Sequence, residues 1–219
     1  CKLKGKFLAQ KNINDFSLLE TILFHKNFEH LDLHLKRMRE SAEYFSYKYD
    51  ENNIMVALNK LLPKLSGRKY KIRVLVDKSG EVIVGETNII NTWDNIKLKL
   101  SSTRTDSNNI FLFHKTTNRE MYNKELESAR EHGFFDVIFF NTHGHITEGA
   151  ITNIYLQKNG QLYTPPVESG LLNGTIRQTL ISKKEVKEKE LTLEDLKNAD
   201  EIYVSNSIIG LRKINSIDI

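Results

Sequence analysis

Three short stretches of this chain carry side chains whose type and spacing could do chemistry. The first is the loop Gly170-Leu171-Leu172-Asn173-Gly174 leading into Thr175-Ile176-Arg177. A glycine where a helix begins lets the backbone come close to an anion. The first N–H groups of that helix, here those of Thr175 and Ile176, have no intrahelical acceptor and lie at the positive end of the helix dipole. Chains cradle phosphate in this way, although an ordinary helix start shares the same wording. The second is Lys115, which ends an apolar run at residues 110–113 and stands just ahead of a helix. Partly desolvated, its amine would act as a nucleophile or base near neutral pH; in solvent it would be one more surface lysine. The third is Glu148, within Ile146-Thr147-Glu148-Gly149-Ala150-Ile151-Thr152-Asn153. A carboxylate among small and apolar residues is costly to bury unless a cation or an N–H group pairs with it. Arg177 or a protonated ring nitrogen of a bound cofactor would serve. The amide of Asn153 can hold neighbouring loop backbone or end a bulge.

Elements with mixed periods must position these residues. Residues 7–28 read as two strands joined by turns. Leu31, Leu33, Leu35, Met38, Ala42 and Phe45 then recur at helical steps, and a second helix is expected over residues 51–65 with Asp50 or Asn52 as its cap. Residues 70–76 and 82–84 alternate around Lys78-Ser79-Gly80 as a hairpin. The Asn- and Thr-containing stretch 88–95 marks a junction. We place the boundary near Trp93, giving a small N-terminal α/β domain over residues 1–93 and a larger C-terminal domain over 94–219. In the latter we expect a strand at 96–100, a polar loop at 101–109, a helix at 118–132 closed by Gly133, and paired strands at 134–140 and 146–156. A helix at 175–182 follows, then strand, helix and strand.

Composition bounds the classes. With 219 residues, 39% apolar, 27% charged, eleven Phe, eight Tyr and only three Pro, the chain can bury a core and is not a disordered or fibrous sequence. Its net charge of +4 and pI near 9.0 arise from interleaved acids and bases and favour anionic ligands only weakly. One cysteine cannot form an internal disulfide, and no Cys/His spacing suits a metal, so His143 and His145 around Gly144 read as turn residues. A cytoplasmic home is the expectation. No apolar run reaches the roughly 18 residues a membrane helix needs, and no basic stripe interleaved with aromatics suggests nucleic acid. Starting at Cys1 instead of Met, the chain reads as a trimmed chain or a piece of a longer polypeptide.

Individually the three stretches are ambiguous, but their order is specific. Lys115, then Glu148-Gly149-Ala150-Ile151-Thr152-Asn153, then Leu162-Tyr163-Thr164-Pro165, then residues 170–177 resemble the large domain of the fold-type IV pyridoxal-phosphate enzymes. That family holds the class IV aminotransferases and the 4-amino-4-deoxychorismate lyases. Asp15-Phe16-Ser17-Leu18-Leu19-Glu20-Thr21, and His34-Leu35-Lys36-Arg37-Met38 with Ser41-Ala42, resemble its small domain. The resemblance spans essentially the whole chain. It implies a two-domain α+β fold like that of D-amino-acid aminotransferase, with pyridoxal 5'-phosphate as cofactor. By position it implies that Lys115 attaches covalently to the cofactor and that Glu148 keeps its ring nitrogen protonated. Arg37, Gly174 and the N–H groups of Thr175 and Ile176 would bind phosphate, Asn153 would support that loop, and Tyr122 would lie near the cofactor face. Ser207 would add a phosphate hydroxyl, at a place where Asn206-Ser207 departs from the family's Gly-Thr.

The same residues suffice for amino transfer and for elimination of pyruvate from aminodeoxychorismate to give 4-aminobenzoate, a folate precursor. Phe16-Ser17-Leu18-Leu19-Glu20-Thr21, Ser41-Ala42-Glu43-Tyr44-Phe45 and His114-Lys115-Thr116-Thr117-Asn118-Arg119 resemble the lyase domains fused to aminodeoxychorismate synthase component I. That resemblance favours the lyase, with Thr21 as a substrate-side hydroxyl and a fused or cooperating synthase. The substrate has two carboxylates, so a further cation should face it. Arg73, Arg104, Arg119 and Arg212 are candidates, and we take Arg212, close behind Ser207. The alternatives are a class IV aminotransferase for branched-chain or D-amino acids and a non-catalytic cofactor- or anion-binding protein; a retired enzyme would be expected to lose Lys115 or Glu148. The resemblance also implies a homodimer.

Overall fold

The computed structural model describes residues 16–90 and 93–219. The part of the first expected strand region before Phe16 lies outside the described residues. Of the described residues, 16–90 and His114–Asn118 form one compact unit, and 93–113 with Arg119–Ile219 form a second.

The first unit is an antiparallel sheet of β1 (Leu18–His25), β2 (Asn27–Phe28), β3 (Tyr70–Val76) and β4 (Val82–Asn88), in the order β2-β1-β3-β4. Helices α1 (Leu31–Phe45) and α2 (Glu51–Asn59) accompany it. α1 buries His34, Leu35, Arg37, Met38, Ser41 and Ala42, which recur every three or four residues and so share one face. It stops at Ser46, whose φ of 56° leaves the helical region. Asp50 caps α2 by accepting from Asn52 N–H at 2.9 Å, and the helix ends at Asn59, ahead of Pro63, with a 3-10 turn at Leu62–Lys64 finishing the expected segment.

Residues 114–118 rejoin this unit by running antiparallel to the start of β1. Leu19 N–H donates to the Lys115 carbonyl at 2.9 Å, and Thr117 N–H to that of Ser17 at 2.9 Å. Ser17 N–H donates to Thr117 Oγ1 at 2.9 Å. Lys115 is thus held by its backbone beside β1.

The second unit has two sheets. One joins β5 (Lys97–Thr105), β6 (Asp136–Asn141) and β12 (Ser216–Asp218) in the parallel order β12-β5-β6. The other joins β7 (Asn153–Lys158), β8 (Gln161–Thr164), β9 (Val186–Glu188), β10 (Glu201–Asn206) and β11 (Gly210–Lys213) in the order β11-β10-β7-β8-β9. Their shared core holds Leu98, Ile138 and Phe140 from the first sheet and Ile154, Leu156 and Val204 from the second. α3 (Glu120–Glu131) packs Leu126 and Ala129 on Val137 and Phe139 of β6; α4 (Thr175–Ser182) and α5 (Leu193–Lys197) complete the unit. Among the described residues no helix is long and apolar enough to cross a membrane.

Two expectations change. β5 continues to Thr105 through residues expected to loop, because Ser101 and Thr105 turn inward and Arg104 and Thr105 resume the pairing with β6 after a bulge. The hairpin expected over 134–156 is cut short. Residues 145–148 do pair back on β6, with Asn141 N–H to His145 O at 2.8 Å and Phe139 N–H to Glu148 O at 2.9 Å. The chain then wraps around the Asp136 side chain and enters the other sheet as β7. Asp136 accepts from Ala150 N–H at 2.9 Å, Ile151 N–H at 3.2 Å and Thr152 Oγ1 at 2.7 Å, and those bonds replace further ladder.

Candidate functional site

In the second unit, Glu148, Asn153 and the start of α4 are drawn together through one residue. Leu172 N–H donates to Glu148 Oε2 at 3.1 Å, and the Leu172 carbonyl accepts from Asn153 Nδ2 at 2.9 Å. The loop of residues 170–174 is thereby clamped through both backbone groups of Leu172, to Glu148 ahead of β7 and to Asn153 at its first residue. Gly174, the N-cap of α4, lies so close that a Cβ there would stand 2.1 Å from Asn153 Oδ1. Its φ of −65° is ordinary, so the requirement for glycine is one of space. Beyond it the N–H groups of Thr175 and Ile176 open the helix, and Thr175 Oγ1 is buried with no hydrogen-bond partner. A buried hydroxyl left unbonded beside free helical N–H groups is the donor set an anion satisfies.

Glu148 is 7% exposed, and its other oxygen, Oε1, accepts from the Tyr122 hydroxyl at 2.8 Å. Burial and the Glu148 charge push the Tyr122 phenol well above 10, so it remains a donor. Its ring meets Phe139 edge-on at 5.1 Å. Arg119 lies with its guanidinium 5.8 Å from the Tyr122 ring centre, giving Nη2 to Ala150 O at 2.6 Å and Nε to Asn123 Oδ1 at 3.0 Å. Burial lowers the Arg119 pKa while the charge of Glu148 raises it.

Arg177 is not the partner of Glu148. It is 2% exposed and braces the loop from beneath, with Nη1 to Asn173 Oδ1 at 2.9 Å and Nη2 to Pro165 O at 2.8 Å and to Glu188. Ser207 sits in the turn after β10, at the end of the sheet where β7 begins, since Ser205 is paired with Asn153. Asn206 holds that turn, accepting from Ile208 and Ile209 N–H and donating to Ile151 O at 3.1 Å. Arg212 is not drawn into this cluster. It lies exposed on the edge strand β11, opposite Val204, with Nε given to Ile209 O at 3.0 Å. Arg104 lies over the Phe140 ring at 4.8 Å.

In the first unit, Lys115 is half-buried, its carbonyl bonded to Leu19 N–H next to Glu20 in β1, and its charge acts on His34. Arg37, expected at a phosphate, gives Nε to Glu20 Oε1 and Nη2 to Glu20 Oε2, each at 2.8 Å. His34 Nδ1 lies 2.6 Å from Glu20 Oε2. Burial alone would raise the Glu20 carboxyl, but Arg37 and His34 hold it far below the usual carboxylate range. Ser41 Oγ donates to Arg37 O at 3.0 Å, so His114 Nδ1, 2.9 Å away, is the donor in their contact. His114, whose pKa burial lowers, stacks on Tyr44 at 4.7 Å. Thr21 follows Glu20 on β1, faces the opposite side of the sheet, and is paired with Arg73 of β3. Among the described residues no group of three or more His, Cys, Asp or Glu is placed to hold a metal.

Sequence reading missed Glu20, His34 and Asp136. Glu20 had a signal, an acid in an otherwise apolar strand, and Asp136 the same one in Phe134-Phe135-Asp136-Val137-Ile138. The second unit therefore offers a buried carboxylate beside a proton-donating phenol and, two residues beyond the Leu172 N–H that binds this carboxylate, an anion cradle. That pairing fits a ligand with a protonated ring nitrogen and a phosphate.

Residues 17–217 match the family described as Amino-transferase class IV. A provisionally named aminodeoxychorismate lyase of Schizosaccharomyces pombe is 28% identical over 208 residues, covering 89% of this chain and 87% of that one. Among solved structures, a provisionally named amino-acid aminotransferase of Mesorhizobium loti superposes with a TM-score of 0.87 at 29% identity, over 92% of this chain and 100% of the other. A Legionella pneumophila protein, provisionally named 4-amino-4-deoxychorismate lyase, gives 0.82 at 25% identity, over 97% and 89%.

Proposed function

The chain belongs to the amino-transferase class IV family, fold-type IV enzymes that use pyridoxal phosphate on small-molecule substrates, and from that premise we propose that it is a 4-amino-4-deoxychorismate lyase. The observation that carries this reading is the likeness to the lyase-named yeast protein along nearly the full length of both chains. The amino-transferase alternative draws on the Mesorhizobium loti structure.

Bound pyridoxal phosphate supplies an electron sink for the carbon that bears the substrate nitrogen. In the proposed roles, Lys115 is the residue of covalent attachment. Released from that attachment, Lys115 Nζ would be a base able to accept a proton from the carbon that bears the substrate nitrogen. Glu148 partners the ring nitrogen, supported by the orientation that Tyr122 and Leu172 N–H impose on its two oxygens. The N–H groups of Thr175 and Ile176, the orphan Thr175 hydroxyl and the Ser207 hydroxyl serve the phosphate, together with Arg37. Asn153 and Gly174 keep the cradle in shape. Thr21 is retained as a substrate-side hydroxyl. Arg212, exposed on β11, is retained as the substrate-side cation.

In the overall reaction the ether C–O bond breaks, the ring loses one proton and becomes aromatic, and the three-carbon fragment leaves as pyruvate. No oxidant or second substrate is needed. The test is incubation of the cofactor-loaded full chain with aminodeoxychorismate. Equal amounts of 4-aminobenzoate and pyruvate are expected, with no added keto acid and none from Lys115→Ala. Turnover that requires a keto acid and yields an amino acid would establish the transferase instead.

A further inference from the structure

On α1, His34, Arg37 and Ser41 repeat at steps of three and four and share the face that meets Glu20 of β1. Glu20 is 2% exposed and binds Arg37 through both oxygens, Nε to Oε1 and Nη2 to Oε2. Oε2 also receives His34 Nδ1–H. His34 Nε2 is fully buried without a hydrogen-bond partner. A protonated ring would turn that bare acceptor into a buried donor, and burial accordingly favours the neutral form. The triad then sums to no net charge: one carboxylate, one guanidinium and one neutral imidazole.

A buried ion pair is a poor source of stability, since apolar residues of similar volume often do as well. What a two-point pair does supply is geometry. It fixes the plane of the guanidinium, which cannot rotate while Nε and Nη2 are both held. It also cancels much of the Arg37 charge, so what Arg37 brings to an anion is direction more than Coulomb attraction.

We infer that Glu20 is a positioning residue for the cofactor phosphate: its two-point grip on Arg37, steadied by the His34 Nδ1–H bond, sets the orientation in which the guanidinium meets that group. The inference rests on the proposed role of Arg37 in phosphate binding.

The test compares affinities of the cofactor-free full chain for pyridoxal phosphate and for pyridoxal, which lacks the phosphate, by absorbance titration. The ratio of the two Kd values isolates the phosphate contribution and does not respond to a general loss of packing. Glu20→Gln is expected to shrink that ratio at least tenfold while leaving pyridoxal binding unchanged. Adding it to Arg37→Ala should lower the ratio no further than Arg37→Ala alone, because both act through one guanidinium. A reduced ratio in Arg37→Ala with a wild-type ratio in Glu20→Gln overturns the inference and leaves the role of Arg37 intact. A wild-type ratio in Arg37→Ala overturns the phosphate assignment itself, and the inference with it. Should Glu20→Gln fail to fold, Arg37→Lys decides, since lysine keeps the charge but cannot be held at two points. It should resemble Arg37→Ala; phosphate discrimination equal to wild type would overturn the inference.

Discussion

The role proposed for Glu148 makes two demands on one side chain: a buried carboxylate must find donors, and it must point at a ligand atom. Tyr122 and Leu172 N–H meet the second demand by taking one oxygen each, which leaves little rotational freedom. Glu148→Gln keeps the volume and removes the charge. If the carboxylate partners a protonated ring nitrogen, the variant should still bind cofactor yet turn over about 10²- to 10³-fold more slowly. Single-turnover rates with the loaded protein measure this, and a loss below threefold would remove Glu148 from that role.

At the scale of elements, the loop between β8 and α4 is held by its neighbours more than by its own turns. Gly174→Ala would place a methyl group against Asn153 Oδ1 and force Asn153 to release the Leu172 carbonyl. The expected result is about tenfold weaker cofactor binding with about 1 kcal/mol lost from folding, the value of one hydrogen bond; cofactor titration and urea unfolding read the two separately. Asp136 does the equivalent work for the turn after Glu148. Burial pushes its carboxyl up to about 6 although four donors pull the other way. The folded chain therefore binds the Asp136 proton more tightly than the unfolded chain does. The stability from this group is complete below about pH 4 and is lost as the pH rises to about 6, by up to about 3 kcal/mol. Asp136→Asn has no such dependence and turns an amide donor toward donors. The wild type should be the more stable at pH 4, by a margin that narrows toward pH 7. A margin that widens in urea titrations would mean that the four donors hold Asp136 as the anion.

For the whole molecule, the proposed roles fall on residues remote in sequence, from Arg37 to Ser207, so cofactor binding should stabilise the chain globally. Pyridoxal phosphate at one hundred times its Kd is expected to add about 2.7 kcal/mol to unfolding and raise Tm by several degrees. Pyridoxal should do less, and Lys115→Ala should lose most of the shift. A thermal melt in which pyridoxal and its phosphate act equally would argue against any phosphate cradle in this chain.

Periodicity determined α1, whose helical spacing is long, and alternation around Lys78-Ser79-Gly80 determined the β3–β4 hairpin, while the glycine-flanked loop announced the start of α4. Asp50 announced the start of α2 through its own capping chemistry. The order of Lys115, Glu148, Asn153 and Gly174 was legible as a family pattern because residue types able to do chemistry stand there at turns or strand ends. What neighbouring side chains satisfy was not legible. Nothing local tells that Glu148 takes Tyr122 and Leu172 N–H in place of Arg177, or that Arg177 braces the loop from Pro165 to Glu188. The extension of β5 to Thr105 and the interruption of the 134–156 hairpin depend on pairing across the sheet and on one buried carboxylate. Glu20 and Arg37 lie seventeen residues apart on a strand and a helix. Only the packing of α1 on β1 made them a pair, because a buried charge chooses its counter-ion by distance in space and not along the chain.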